Sequence, residues 1–392
     1  MSVPNYGQYV VPTADILINL KVGQPSPNGL LPLETVREAA AAKFAETDPE
    51  FLQYGNIYGF PAFRKALVGF LSRRYGAEVK EDHVMATNGN TGCLSLLLSL
   101  FTKSGDLVFA EEPTYFLAKS IFKDFKLNLE QIPQDVHGLD VDKLEARLKQ
   151  GNIPKLIYVI PTAHNPSGRT MPAERRAKLA KLSAEYKFLV IADEVYQMLT
   201  FPHITPPPPM FTYDEAGTIL CMGSFSKILA PGLRVGWLQA SPALLAQIAA
   251  CGQLDSSGGL NPVAFGIVEK TITLGTLDKH IDFARAELFR RYTALSNGLS
   301  KYLPKDVTFE VPQGGYFCIV RLPDGHNAKD LIPTAEKHKV MFLPGAAFSQ
   351  TMDQYCRLSF SYYSAEDLDL AAKRLSEAIA EFLGNKKLKQ GA

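Results

Sequence analysis

The chain has 392 residues, of which 46% are hydrophobic and 21% charged, with a formal net charge of +1. That apolar share supports a substantial core and the length two or three domain-sized units, which excludes a disordered chain. The near-neutral balance removes the electrostatic footprint of a nucleic-acid or anionic-membrane partner.

The first residues, Met1-Ser2-Val3-Pro4-Asn5, lack the basic lead into an apolar run that marks a secretory signal. The most apolar stretch, 94–101, is far too short to span a bilayer. Cys93, Cys221, Cys251, Cys318 and Cys356 are scattered and never in Cys-x-x-Cys spacing, and the histidines form no pair at ligand spacing. They read as buried thiols in a reducing compartment, so a cytoplasmic, metal-free protein is expected.

In chain order, apolar runs at 84–86, 107–110, 156–160, 188–192 and 219–222 alternate with helical patterns. The runs are continuous, as in strands buried on both faces, which predicts an α/β domain with a mostly parallel sheet. A strand at 235–238 follows its neighbour closely enough to be antiparallel. The four prolines at 206–209 require a loop. After about residue 285 the texture changes. A long helix is predicted at 281–300, then strands at 307–311 and 316–320 around the turn Gln313-Gly314-Gly315. The last helix starts at Ser364, with Asp367 in an approximate capping box. Leu368, Ala371, Leu375, Ile379 and Leu383 follow at helical spacing. Lys386, Lys387 and Lys389 read as a solvated tail. The predicted organisation is a large domain over 46–285 and a smaller α+β domain over 286–392, joined by the N-terminal segment 1–45.

Polar residues fall just after the apolar strands, where open α/β sheets bind ligands. The strand ends read Gly89-Asn90-Thr91, Glu112-Pro113-Thr114-Tyr115, Asn165-Pro166-Ser167-Gly168, Asp193-Glu194-Val195-Tyr196 and Ser224-Phe225-Ser226-Lys227. Each has a plain reading by itself: Asp, Ser and Thr as helix caps, Asn-Pro as a turn, the lysine in a surface ion pair. Together they offer a lysine, a carboxylate, an aromatic ring and phosphate-type donors in one region.

Ser224-Phe225-Ser226-Lys227, followed by Pro231-Gly232-Leu233-Arg234-Val235-Gly236, resembles the cofactor-lysine motif of fold-type I, class I/II aminotransferases. Tyr54-Gly55, Gly59 and Arg64 resemble that family's Tyr-Gly-x-x-x-Gly…Arg segment. Asn165-Pro166-x-Gly168, Asp193-x-x-Tyr196, Pro312-x-Gly314-Gly315 and Arg357-Leu358 follow in the family's order, so the likeness covers roughly residues 20–380.

The resemblance implies a pyridoxal 5′-phosphate (PLP) enzyme with a large sheet domain of the seven-stranded type and a smaller α+β domain. Lys227 would hold the cofactor as a Schiff base and, once freed, carry a proton between substrate and cofactor. Asp193 would sit against the pyridine nitrogen, and Tyr196 and Asn165 would donate to the ring's phenolic oxygen. Gly89, Asn90 and Thr91, at a helix start, would cradle the phosphate with Ser224, Ser226 and Arg234. Many relatives carry Ser-Gln where this chain has Asn90-Thr91. Tyr54 would reach the phosphate of a neighbouring subunit in a homodimer, and Tyr115 would stack on the cofactor ring. Arg357 would grip the substrate α-carboxylate, with Gly23 allowing close backbone approach.

The expected reaction is ping-pong transamination between an L-amino acid and a 2-oxo acid, of the broad-range 2-aminoadipate, aromatic or valine–pyruvate kind. No arginine precedes Arg37, which weighs against a strict dicarboxylate specialist. A carbon–sulfur β-lyase on the same fold is the competing reading. A PLP-binding regulator is disfavoured because the pattern begins near Leu20, and a nicotinamide-binding protein because no Gly-x-Gly-x-x-Gly follows the early strands.

Overall fold

The first strand of the chain lies against its C-terminal part. The short strand β1 (Ile18–Asn19) runs parallel to a strand more than three hundred residues later, with Ile18 opposite Val340. Residues 13–256 and 260–390 are described by this computed structural model, the side chains of 385–390 excepted. The N-terminal pentapeptide and the Lys386, Lys387 and Lys389 side chains lie outside the described residues.

The main sheet is built from β2 (Val84–Thr87), β3 (Leu107–Glu112), β4 (Asn128–Asp135), β5 (Gly138–Leu139), β6 (Leu156–Val159), β7 (Leu189–Asp193), β8 (Ile219–Ser224) and β9 (Gly236–Gln239). Their spatial order is β2-β9-β8-β7-β6-β3-β4-β5. β9 pairs antiparallel with both β8 and β2, while β3, β4, β6, β7 and β8 pair in parallel. The sheet thus has eight strands, one more than the seven-stranded type expected, because the two-residue β5 adds a hairpin edge to β4. The apolar runs read from the sequence occupy strands of this sheet, of which β2, β6, β8 and β9 are buried at every position. Helices cover both faces, as the crossovers of a parallel sheet require.

β4 was not expected. Its sequence, Asn-Leu-Glu-Gln-Ile-Pro-Gln-Asp, buries only Ile132, and Pro133 is tolerated because the strand lies near the sheet edge.

The smaller unit carries β10 (Thr308–Phe309), β11 (Phe317–Arg321), β12 (Val340–Met341), β13 (Leu343–Pro344) and β14 (Tyr355–Ser359). β10, β11, β14 and β13 form an antiparallel sheet, with Ile319 opposite Arg357. The strand expected at 307–311 shrinks to two residues, and Val311 is 74% exposed. The long helix spans Thr276–Tyr302 and packs against the final helix, Ala365–Gln390. Ser364 caps that final helix: its Oγ accepts from Asp367 N at 3.1 Å and donates to Asp367 Oδ2 at 3.0 Å. Such a cap contributes about 1 kcal/mol. Leu368, Ala371, Leu375 and Ile379 face the core from the same helix. Among the described residues no helix is long and apolar enough to cross a membrane.

Candidate active site

β2, β3, β6, β7 and β8 point their C-terminal ends toward one edge of the sheet, and the polar segments that follow them meet there. At the bottom of this cleft lies Asp193, the last residue of β7 and only 8% exposed. Tyr158, on the neighbouring β6, donates its hydroxyl to Asp193 Oδ2 at 2.6 Å, and Asn90 Nδ2 donates to Oδ1 at 2.7 Å. Burial pushes the Asp193 carboxyl above the usual carboxylate range, and the Tyr158 and Asn90 hydrogen bonds oppose that rise.

Lys227, three residues past β8, reaches into the cleft and donates from Nζ to the Gly23 carbonyl at 3.0 Å. Its amine sits 5.4 Å from the Tyr316 ring centroid, and the Tyr316 hydroxyl donates to the Lys227 carbonyl at 3.1 Å. Burial lowers the lysine pKa to about 8, with Asp193 opposing and Arg357 and Arg234 assisting. A neutral amine near neutral pH is what a carbonyl-capturing lysine needs.

Arg357, on β14, is 3% exposed. Nη1 donates to Asn165 Oδ1 at 3.0 Å and Nη2 to the Lys21 carbonyl at 2.6 Å, while Nε is buried without a partner. Its guanidinium carbon lies 4.0 Å from the Phe317 ring centroid and 5.1 Å from that of Phe348. Burial lowers its pKa to about 10, with Tyr196 and Tyr115 opposing. Gly23 packs here as well, since a Cβ on it would stand 2.6 Å from Phe317 Cζ. Tyr196, 3% exposed, packs against Tyr316 at 5.5 Å and Phe317 at 6.2 Å between ring centroids. Tyr115 is half-buried at the cleft wall, with its hydroxyl pKa raised to about 12, chiefly by burial.

A second cluster gathers where β2 and β8 end. Gly89 starts the helix Gly89–Phe101 at φ +69°, and a Cβ there would lie 2.5 Å from Arg234 Nη2. Arg234 Nη1 donates to Ser226 Oγ at 3.4 Å and to the Pro231 carbonyl at 3.0 Å. Ser224 Oγ accepts from Ser226 N at 3.1 Å. Thr91, in the first turn of that helix, is exposed. The sequence placed Asn90 on the phosphate side, but its amide nitrogen is committed to Asp193 and to the Met222 carbonyl. The reason is electrostatic: the nearest strong acceptor to its amide is a buried carboxylate. Tyr54 stands apart from both clusters at 84% exposed.

The fold therefore brings together Lys227, Asp193, Tyr196, Asn165, Arg357 and Gly23, with Gly89, Asn90, Thr91, Ser224, Ser226 and Arg234 beside them. Tyr158, Tyr316, Glu111 and His164 were not read from the sequence. Tyr158 lies inside a run of apolar residues, where a tyrosine reads as core. The residues present fit PLP. The edge leaves Asn90 Oδ1, Thr87 Oγ1, Thr114 Oγ1 and Arg357 Nε buried and unpartnered, as expected where a polar ligand completes the set. Lys227 suits its aldehyde, Asp193 its ring nitrogen, and the helix start with Arg234 its phosphate.

The chain matches the family model for aminotransferase class I and II over residues 15–375. It is 34% identical over 379 residues to aromatic-amino-acid aminotransferase 1 of Thermococcus litoralis, covering 95% of this chain and 90% of that one. Among solved structures, Pyrococcus horikoshii kynurenine aminotransferase, in complex with PMP, has a TM-score of 0.87 at 33% identity, over 94% of this chain and 92% of that one. LysN, the alpha-aminoadipate aminotransferase of Thermus thermophilus, complexed with N-(5'-phosphopyridoxyl)-L-leucine, has a TM-score of 0.83 at 28% identity, covering 94% and 93%. The chain belongs to the class I and II aminotransferases, and is a PLP-dependent, fold-type I enzyme of transamination.

Proposed function

We propose that this enzyme is a broad-range aminotransferase acting on aromatic and 2-aminoadipate-type amino acids, with Lys227 as its cofactor lysine and Arg357 as its α-carboxylate site. The observation that carries the reading is Lys227 itself, a lysine held near neutral pKa beside a buried carboxylate and a buried arginine. Aromatic walls around Arg357, from Phe317 and Phe348, favour flat apolar side chains. The relatives named for aromatic amino acids, kynurenine and alpha-aminoadipate point the same way.

Bound PLP supplies an aldehyde that takes up the substrate amine and an electron-poor ring that accepts the electron pair released at its α-carbon. Asp193 favours a protonated ring nitrogen by charge pairing, while Tyr158 and Asn90 hold both of its oxygens in place. Asn165 Oδ1 is taken by Arg357, which leaves its amide nitrogen, with the Tyr196 hydroxyl, to serve the ring oxygen. Of the five N–H groups a guanidinium offers, Arg357 uses two, so it retains donors for a substrate carboxylate. With the cofactor bound, the Lys227 amine would be the group that takes up and returns the proton of the substrate α-carbon. Gly89, Thr91, Ser224, Ser226 and Arg234 would hold the phosphate, and Tyr115 would pack against the ring.

Exposed Tyr54, with Leu52 at 60% and Phe44 at 58% exposure nearby in sequence, supports a homodimer in which Tyr54 completes the partner's phosphate site. Sedimentation of the wild type and of Tyr54→Ala tests this. The β1–β12 pairing supports a small domain made of segments 1–45 and 286–392, with the helix Thr276–Tyr302 bridging to the large domain over 46–285. Scattered cysteines favour the cytoplasm as its compartment.

The visible spectrum of the purified protein tests the function. Amino acids added without acceptor should bleach a yellow band, and a 2-oxo acid should restore it. A persistent band with pyruvate accumulating would instead mark a lyase.

A further inference from the structure

Beneath the Asn165 turn, four side chains outside the cleft close a ring of polar contacts. Glu111, on β3, and His164 are each 1% exposed. Glu111 Oε2 accepts from Ile160 N at 2.7 Å, and Oε1 accepts from Gln134 Nε2 at 2.9 Å. Gln134, on β4, accepts through Oε1 from Ser167 Oγ at 3.0 Å. Ser167 Oγ also lies 3.0 Å from His164 Nδ1. His164 Nε2 completes the ring 3.3 Å from Glu111 Oε2. That contact is not a hydrogen bond, and among the described residues the ring nitrogen has no hydrogen-bond partner.

This arrangement is costly for stability alone. Burying a carboxylate and an imidazole carries a desolvation penalty that well-packed apolar side chains of similar size would not. What a closed polar ring provides is a single orientation. His164 and Ser167 flank Asn165-Pro166, and the turn is tied further by Gly168 N to His164 O at 2.6 Å and His164 N to Arg169 O at 2.8 Å. Arg169 in turn holds Glu310 through two hydrogen bonds, of 2.9 and 2.6 Å, which fastens the turn to the small unit. Within that turn, Asn165 Oδ1 meets Arg357 Nη1.

We propose that Glu111, His164, Ser167 and Gln134 are positioning residues that set the Asn165 amide, and through it both the Arg357 guanidinium and the donor offered to the cofactor ring. The inference rests on the reading of Asn165 and Arg357 given above. None of the four touches the reacting atoms.

The test compares cofactor-loaded wild type with Glu111→Ala, Asn165→Ala and the double variant. Two readings are taken that need no turnover. One is the pH midpoint of the visible band; the other is the dissociation constant of 3-phenylpropionate, a carboxylate without an amine. A donated hydrogen bond favours a charged ring oxygen, so Asn165→Ala should move the midpoint upward. Glu111→Ala should move it the same way and weaken the probe about tenfold, and kcat/KM should fall by up to about a hundredfold. The double variant should go no further than Asn165→Ala alone, because both act through one amide. Glu111→Gln and Ser167→Ala remove single links and should move both readings by about threefold or its equivalent in pH, which keeps the test valid should Glu111→Ala not fold.

Unmoved midpoint and probe affinity in the folded variants, whatever their melting temperatures, would overturn the proposal, as would additive effects in the double variant. A wild type that shows no band with PLP would overturn the site reading together with it. A normal wild-type band that ignores Glu111 overturns the positioning role alone.

Discussion

Asn90 Nδ2 and Asp193 Oδ1 meet at 2.7 Å, joining the helix start after β2 to the carboxylate that ends β7. Tyr158 holds the other carboxylate oxygen at 2.6 Å, so Asp193 is fixed at both ends by neutral donors. Burial raises its pKa and these two bonds oppose the rise, so losing either must raise it further. A raised folded pKa means that the folded apoprotein holds the proton more tightly than the unfolded chain. The carboxylate therefore lowers stability as pH climbs through the folded value. Tyr158→Phe should cost the apoprotein about 1.5–3 kcal/mol at pH values above the folded pKa of Asp193, the range for a hydrogen bond to a charged group. The loss should shrink as pH falls and Asp193 is protonated. Urea denaturation of both proteins across a pH series measures this, and a loss independent of pH would mean that Tyr158 acts by packing alone.

The Lys227 amine, with its pKa lowered from 10.5 to about 8, should set the pH dependence of cofactor capture. Only the neutral amine attacks an aldehyde, so uptake of PLP by apoprotein should accelerate with rising pH and level off above a midpoint near 8. Asp193 is the group that holds this pKa up, so Asp193→Asn should move the midpoint lower. Stopped-flow absorbance across the range reads both. A midpoint near the 10.5 of a free lysine would show that burial does not activate this amine. Lys227→Ala should retain the fold and lose the covalent band.

The parts of this site legible in the sequence are those where one strand and its following turn carry the signal. Ser224 ends a strand buried at all six positions, with Lys227 three residues beyond, and Asp193 ends another with four of five buried, so continuous apolar runs marked where chemistry must sit. The parts that were not legible depend on contacts between distant segments. Asn90 and Asp193 are 103 residues apart, and nothing near Asn90 announces that its amide turns from a helix mouth to a carboxylate. Glu111 and Gln134 are 23 residues apart and belong to adjacent strands, one of which is too polar to read as a strand. A histidine directly before Asn165-Pro166, in a chain with few histidines, was the one local signal for the buried ring.

Among the described residues Arg357 has no carboxylate partner, and its buried Nε lacks any hydrogen-bond partner. Its charge is held by two carbonyl-type oxygens and two aromatic faces. Arg357→Ala should therefore weaken amino-acid binding by about 2–5 kcal/mol, as for loss of one partner of a buried charge pair. Arg357→Lys should recover little of it, since a point charge replaces a planar fork. Substrate titration of the visible band gives the affinities. An unchanged affinity in Arg357→Ala would remove it from the site.

Gly89 meets two demands at once, a left-handed backbone and space for a guanidinium. Its φ is +69°, where an L side chain costs roughly 1–2 kcal/mol. A Cβ would also come within 2.5 Å of Arg234 Nη2. That atom ends a flexible, exposed side chain, so Gly89→Ala should still fold, with Arg234 displaced from the helix start rather than the backbone broken. The displacement should fall on the phosphate. Affinity for PLP should drop about tenfold, which corresponds to about 1.4 kcal/mol or roughly one charge-assisted hydrogen bond. Pyridoxal, which has no phosphate, should bind the variant and the wild type alike. Equilibrium dialysis of both ligands against both apoproteins separates the outcomes: an equal loss for pyridoxal would place the damage in the ring pocket, and no loss for PLP would take Gly89 and Arg234 out of the phosphate site.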